Sequence, residues 1–212
     1  VSLGLVGSEM CIRDSCWGDT RRPESLGTLV EACRACHDIA IEFLAPFVSG
    51  KDSLNNVFAW TDAAGHHHER SIPPTLLATA LGQLDDVQRS LTPDLKRAGD
   101  RLAIVGLSRD DLAGSQLELA GRVTGGRVPA VDTAACRAVF RAIAAAGREG
   151  LVASCHDCSD GGLLAAAAEM AVAGGLGAGV DLDAVPADMA LSAALRPLAV
   201  AFAETPGRFL CA

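Results

Sequence analysis

The chain has no tyrosine, and only 4% of its 212 residues are aromatic. A core of large stacked rings is therefore excluded; with half the residues hydrophobic, burial has to come from Ala, Leu and Val. No apolar run approaches the roughly 20 residues of a membrane-spanning helix, because Asp, Glu, Arg or Gly interrupts each one, so no membrane partner is expected. Basic residues are also short: 18 Lys and Arg face 26 Asp and Glu, for a net charge of −8. That balance argues against wrapping nucleic acid, which needs clustered cations, and leaves anionic ligands dependent on local positive potential. Neither the basic start nor the small-residue cleavage site of a secretion signal is present. The eight cysteines sit mostly inside apolar periodic segments, as buried thiols do, rather than forming a disulfide framework. A reducing cytoplasm is the expected compartment. The length suffices for one large or two small domains with a real core.

Residues 1–15 fit poorly with the rest of the chain and resemble a translated sequencing-adapter sequence. They are set apart as non-native, with the expectation that they make few contacts with the body. Over 24–44, Leu26, Leu29, Val30, Cys33, His37, Ala40, Ile41 and Leu44 form a helical stripe, with Pro23 suited to its first turn. A short strand at 46–48 is expected to lead into a polar turn at 49–56, then a strand at 57–60 and an exposed loop at 61–70. Residues 71–84 read as a buried strand, their Ala and Leu content leaving a helix open, 85–91 as a turn or short helix, and 101–107 as a strand. The stretch 121–129, with adjacent glycines, is the expected linker. Beyond it, 132–149 reads as a helix with Cys136, Val139, Phe140, Ile143 and Ala144 on one face. A strand at 151–153, a helix at 163–173 stopped by Gly174 and Gly175, a strand at 180–182, a helix or turn at 186–195 and strands at 198–202 and 209–212 complete the pattern. The chain reads as truncated at both ends.

The stretch around which the rest is organised is His156-Asp157-Cys158-Ser159-Asp160-Gly161-Gly162. A β-like run, acids, a hydroxyl and two glycines before an Ala-rich helix predict a strand, a tight turn and an exposed helix start. Such a start carries about half a positive charge on unpaired N–H groups and can hold phosphate, with a carboxylate beside it for Mg2+. The alternative is a plain helix cap in which Ser159 or Asp160 satisfies those amides. A second anion-binding candidate is Gly50-Lys51-Asp52-Ser53, where backbone, ammonium, carboxylate and hydroxyl groups cluster. Other signals carry less. Cys33-Arg34-Ala35-Cys36-His37 has haem-attachment spacing but lies within the amphipathic stripe. Pairing Cys33 and Cys36 with Cys155 and Cys158 for zinc conflicts with a mid-helix first pair. Three adjacent histidines at 66–68 cannot all face one ion in extended backbone. The glycines at 174–179 follow a helix, the reverse of a dinucleotide loop.

Residues 46–56, then Ser71-Ile72-Pro73-Pro74-Thr75, then 156–162 with Leu163 and Ala168-Glu169-Met170-Ala171, together resemble the phosphoribosylformylglycinamidine synthase family in order and spacing. Phe202-Ala203-Glu204-Thr205-Pro206-Gly207-Arg208 is similar to a glutamate-centred turn of that family. The resemblance covers about residues 16–212 and the second half of the family's synthetase subunit. It implies an α/β (α+β) fold like that of aminoimidazole ribonucleotide synthetase. A ferredoxin-like domain at 16–125 would be followed by an incomplete α/β domain at 130–212. It further implies ATP-dependent conversion of formylglycinamide ribonucleotide, with glutamine-derived ammonia, to formylglycinamidine ribonucleotide. ATP and Mg2+ are the implied cofactors; the first half of the synthetase, which holds the family's catalytic histidine, and a glutaminase domain or subunit are the implied partners. By matching position, Gly50 and Ser159 contact ATP, Ser53 binds the ribonucleotide and Asp157 binds metal. Lys51 stands where relatives have a metal-binding Asn, so Asp52 or a Lys51–phosphate contact would have to substitute.

Overall fold

The computed structural model describes residues 10–84, 86–187 and 193–212. Its described residues up to Gln83 form one compact unit and those from Leu84 onward another.

The first unit is built on a β-α-β crossover. Strand β1 (Met10–Cys16) leads to helix α1 (Pro23–Phe43), which returns the chain to β2 (Phe47–Ser53), parallel to β1. Pro23 starts α1 where a missing N–H costs nothing, and Leu44 ends it in a left-handed conformation. Strand β5 (Thr75–Leu81) pairs antiparallel on the other side, giving the order β2-β1-β5. This begins a ferredoxin-like pattern. Between β2 and β5, β3 (Val57–Thr61) and β4 (His67–Ser71) form a hairpin in which Trp60 faces and stacks on His68.

Several expectations for this unit need correction. Residues 10–15 do not stand apart: they are most of the central strand, while 1–9 lie outside the described residues. Ladder bonds use main-chain groups that every residue type except Pro supplies in full, so the slot between β2 and β5 accepts this segment whatever its origin. Residues 49–53 are not a turn, because pairing with β1 keeps the chain extended through Ser53. The histidine segment is a strand rather than a loop, and its turn is closed by Asp62, which accepts N–H bonds from Ala64 and His66 at 2.9 Å. Strand β5 is where expected but exposed along its length rather than buried.

The second unit centres on the antiparallel sheet β6-β8-β7, made of Ala103–Val105, Phe209–Cys211 and Cys155–Asp157 in that order. Helix α2 (Gln116–Leu119) and helix α3 (Thr133–Arg148) lie between β6 and β7 in the chain. Asp132 caps α3 by accepting the Ala135 N–H at 2.9 Å. After β7 come α4 (Gly162–Gly174) and α5 (Arg196–Phe202). The central strand β8 is the last to arrive, filling the slot between β6 and β7. Its side chains alternate as the pleat demands. Phe209 and Cys211 pack with Ile143, Val139 and Phe140 of α3, while Leu210 packs with Leu163, Ala166, Met170 and Val200 of α4 and α5. Small residues let the helices approach: Met170, Ala199 and Val200 are fully buried.

The second compact unit begins at Leu84, ahead of the linker expected at 121–129 and of the expected domain limits 16–125 and 130–212. The segment after β6 belongs to the second unit because Arg109 and Asp111 bond to Thr205 and Glu204 near its end. The strand expected at 151–153 falls at Cys155–Asp157, and that at 180–182 is replaced by a 3₁₀ turn at Leu182–Ala184. Residues 198–202 are helical, not extended: a short run buried all round carries no period to tell the two apart. Of the helix or turn expected at 186–195, residues 188–192 lie outside the described residues.

Candidate functional site

Strand β7 delivers Asp157 to the sheet edge, and the chain turns over Cys158, Ser159 and Asp160 into α4. Cys158 is buried, donates its N–H to Arg208 O at 3.0 Å, and has its thiol pushed up to about 11 by burial. With Cys158 fixed, its neighbours point outward. The Ser159 hydroxyl donates to Asp157 Oδ2, which holds the Asp157 carboxyl below its ordinary range despite partial burial. His156 is held by Asp157 O at 2.8 Å and by Glu169 Oε2 of α4 at 2.9 Å.

Neither Ser159 nor Asp160 caps α4. The N-cap is Gly161, at φ 76°, and its N–H donates to Glu204 Oε1 at 2.9 Å. The same oxygen accepts the Gln116 N–H of α2 at 2.8 Å. One carboxylate thus stands at two helix starts, where negative charge is favoured. Gly162, at φ 71°, is wedged against the end of α5: an added Cβ would meet Ala203 O at 2.7 Å. Both glycines are obligatory for this turn.

The Glu204 turn is itself locked from beneath. Arg208 is 1% exposed and spends its guanidinium on Ser108 Oγ at 2.8 Å, Thr205 O at 3.3 Å and Ala203 O; burial lowers its pKa. Asp111, with no exposed surface, takes Arg109 Nε at 3.3 Å and Arg127 Nε at 3.2 Å. Glu204, which joins the two helix starts, is the residue of this region that spacing leaves without a role; its sequence signal is its place in the 202–208 turn.

The other candidates, Gly50 and Ser53, belong to the first unit. Gly50 lies against β1, where a Cβ would meet Arg13 O at 1.9 Å, so its lack of a side chain serves strand pairing. Asp52 is engaged by Arg13 at 2.6 Å and by the Ser15 hydroxyl. Lys51 Nζ donates to Ser53 Oγ at 2.8 Å. Among the described residues no group of three or more His, Cys, Asp or Glu side chains is placed to hold a metal ion alone. Cys33 and Cys36 lie on α1, and Cys155 and Cys158 pack on opposite faces of their sheet.

The antiparallel sheet, the helix started by paired glycines and the buried Arg208 turn together define one domain class. Residues 97–212, more than half the chain, match the family described as AIR synthase related protein, C-terminal domain, and the chain belongs to that family. More particularly, it is 36% identical over 184 residues to the phosphoribosylformylglycinamidine synthase subunit PurL of Anaeromyxobacter sp. (strain Fw109-5), covering 85% of this chain and 23% of that protein. It is similar in fold to T. maritima PurL complexed with FGAR (TM-score 0.61, 19% identity, 97% of this chain and 32% of that one). The likeness extends to T. maritima PurL complexed with ATP (TM-score 0.60, 20% identity, 97% and 30%). The chain spans about a quarter of the length of the curated relatives it matches.

Proposed function

We propose that this chain is part of the second half of a phosphoribosylformylglycinamidine synthase, an ATP-dependent ligase of purine biosynthesis acting in the cytoplasm. The observation that carries this reading is the 36% identity to a PurL subunit across most of the chain. The reaction converts formylglycinamide ribonucleotide to its amidine: ATP phosphorylates the amide oxygen, and ammonia from a glutaminase domain or subunit displaces the phosphate. The protein's part is positioning and charge neutralisation.

Asp157 is the proposed metal ligand, with Ser159 and Gly50 at ATP and Ser53 at the ribonucleotide. An ionised, half-exposed carboxylate suits a hard cation such as Mg2+, which usually takes one or two carboxylates and fills its shell from phosphates and water. Mg2+ would there neutralise phosphate charge. Ser159 keeps Asp157 ionised and aimed outward; Glu204 fixes the helix start behind them. The first half of the synthetase is the proposed partner. Leu26, Val30 and Ile41 of α1 and Leu76, Leu77 and Leu81 of β5 are exposed apolar surface suited to that contact.

The test joins this chain to a first half and follows ATP- and ammonia-dependent amidine formation. Ser53→Ala should raise KM for the ribonucleotide about tenfold or more, as loss of a substrate hydrogen bond does; unchanged kinetics would count against the assignment. A second reading, favoured by the Ser159-held carboxylate of Asp157 at the 157–162 turn, is that this half binds a Mg2+-nucleotide only to stabilise the fold. Asp157→Asn would then abolish calorimetric ADP–Mg2+ binding while turnover survives.

A further inference from the structure

Strands β7 and β8 bring two sulfur atoms together. Cys155 and Cys211 are register partners, and Cys211 Sγ lies 3.6 Å from Cys155 Sγ, the one sulfur–sulfur contact among the described residues. Next to them, Ala212 N–H donates to Ser154 O at 3.0 Å and Ser154 N–H donates to Ala212 O at 3.1 Å. That reciprocal pair makes Cys155 and Cys211 a non-hydrogen-bonded pair, whose Cα atoms stand about 4.5 Å apart. A disulfide spans Cα separations of about 4.4–6.8 Å, so side-chain rotation alone can close the gap. Cys158, the nearest alternative in sequence, packs on the other face of the sheet among Leu163, Met170 and Val200.

We propose that Cys155 and Cys211 form a redox modification site, converted to an intramolecular disulfide by hydrogen peroxide. Cys155 is the more exposed sulfur, whereas Cys211 is 4% exposed. Cys155 attacks the O–O bond, taking one oxygen as a sulfenic acid and releasing water. The Cys211 sulfur then displaces that oxygen, which leaves with the Cys211 proton as a second water. Two thiols and one peroxide thus give one disulfide and two waters, each sulfur oxidised by one electron. The bond ties β7 to the central strand one pleat before Asp157.

The experiment treats the reduced full chain with stoichiometric hydrogen peroxide, alkylates the remaining thiols and maps tryptic peptides. Cleavage after Arg208 releases the tetrapeptide of residues 209–212, which carries Cys211. It is expected disulfide-linked to Cys155 before the other six thiols react, in Cys158→Ser as in the parent, and absent in Cys155→Ser. The oxidised chain should show a thermal midpoint about 5–10 °C higher, because the bond closes a long loop. Recovery of the tetrapeptide in alkylated form while other cysteines oxidise, or linked to Cys158 or to a second chain, overturns the proposal. The parent map decides the matter even if a variant fails to fold.

Discussion

Gly162→Ala is the most informative single change at the 157–162 turn. The residue sits at φ 71°, where an L side chain is strained by roughly 1–2 kcal/mol. Its new Cβ would also lie 2.7 Å from Ala203 O, 2.8 Å from Phe202 C and 2.9 Å from Phe202 Cα. These are backbone atoms at the end of α5 and cannot rotate away as a side-chain tip can. Forcing a methyl into such a space costs about another 1–3 kcal/mol, for a total of about 2–5 kcal/mol. Gly175 supplies the control: it too is left-handed, at φ 63°, but an added Cβ meets nothing within 4 Å. Gly175→Ala should therefore lose only the strain, about 1–2 kcal/mol. Urea unfolding of both variants, followed by far-UV circular dichroism, reads the difference. With a slope of about 2 kcal/mol/M, the Gly162 variant should unfold at roughly 0.5–1.5 M less urea than the Gly175 variant. Equal midpoints would refute the claim that α4 starts wedged against α5.

Two further outcomes concern the same region. Asp157 is held below its ordinary value of about 3.9, chiefly by the Ser159 hydroxyl. Its stabilisation is therefore full above that value and is lost as pH falls through the depressed native one. Ser159→Ala removes the main cause, so the stability gap between parent and variant should shrink on acidification from about pH 5 to pH 3 in stepped urea titrations; a constant or widening gap contradicts the assignment. Arg208→Met strips donors from Ser108 Oγ, Thr205 O and Ala203 O in a fully buried site and should cost about 3–5 kcal/mol in the same assay. Arg208→Lys should recover less than half of this, since an ammonium lacks the planar fork. A loss under about 1 kcal/mol for Arg208→Met would mean that the guanidinium does not brace the turn.

How much of the fold is legible in the sequence depends on the length over which each signal is repeated. Helices α1 and α3 run 21 and 16 residues, long enough for an apolar period to declare itself, and both lie within a residue or so of their expected limits. The 198–202 run is too short and too evenly apolar to show any period; only Pro197, in the first turn of α5, favours the helix. The polar 49–53 segment reads as a turn only while its strand partner, β1, is set apart with residues 1–15. The glycines at 161 and 162 correctly announce a tight strand-to-helix turn, whereas the identity of its cap is invisible. Glu204 meets Gly161 across 43 positions, and it does so only because β8 arrives last to split β6 from β7 and carries the 203–208 turn beneath the start of α4. A local reading can choose only between Ser159 and Asp160 as caps. With the distant carboxylate in that role, Ser159 is left to hold Asp157, whose carboxylate faces outward ionised, as the proposed metal-bound phosphate would need.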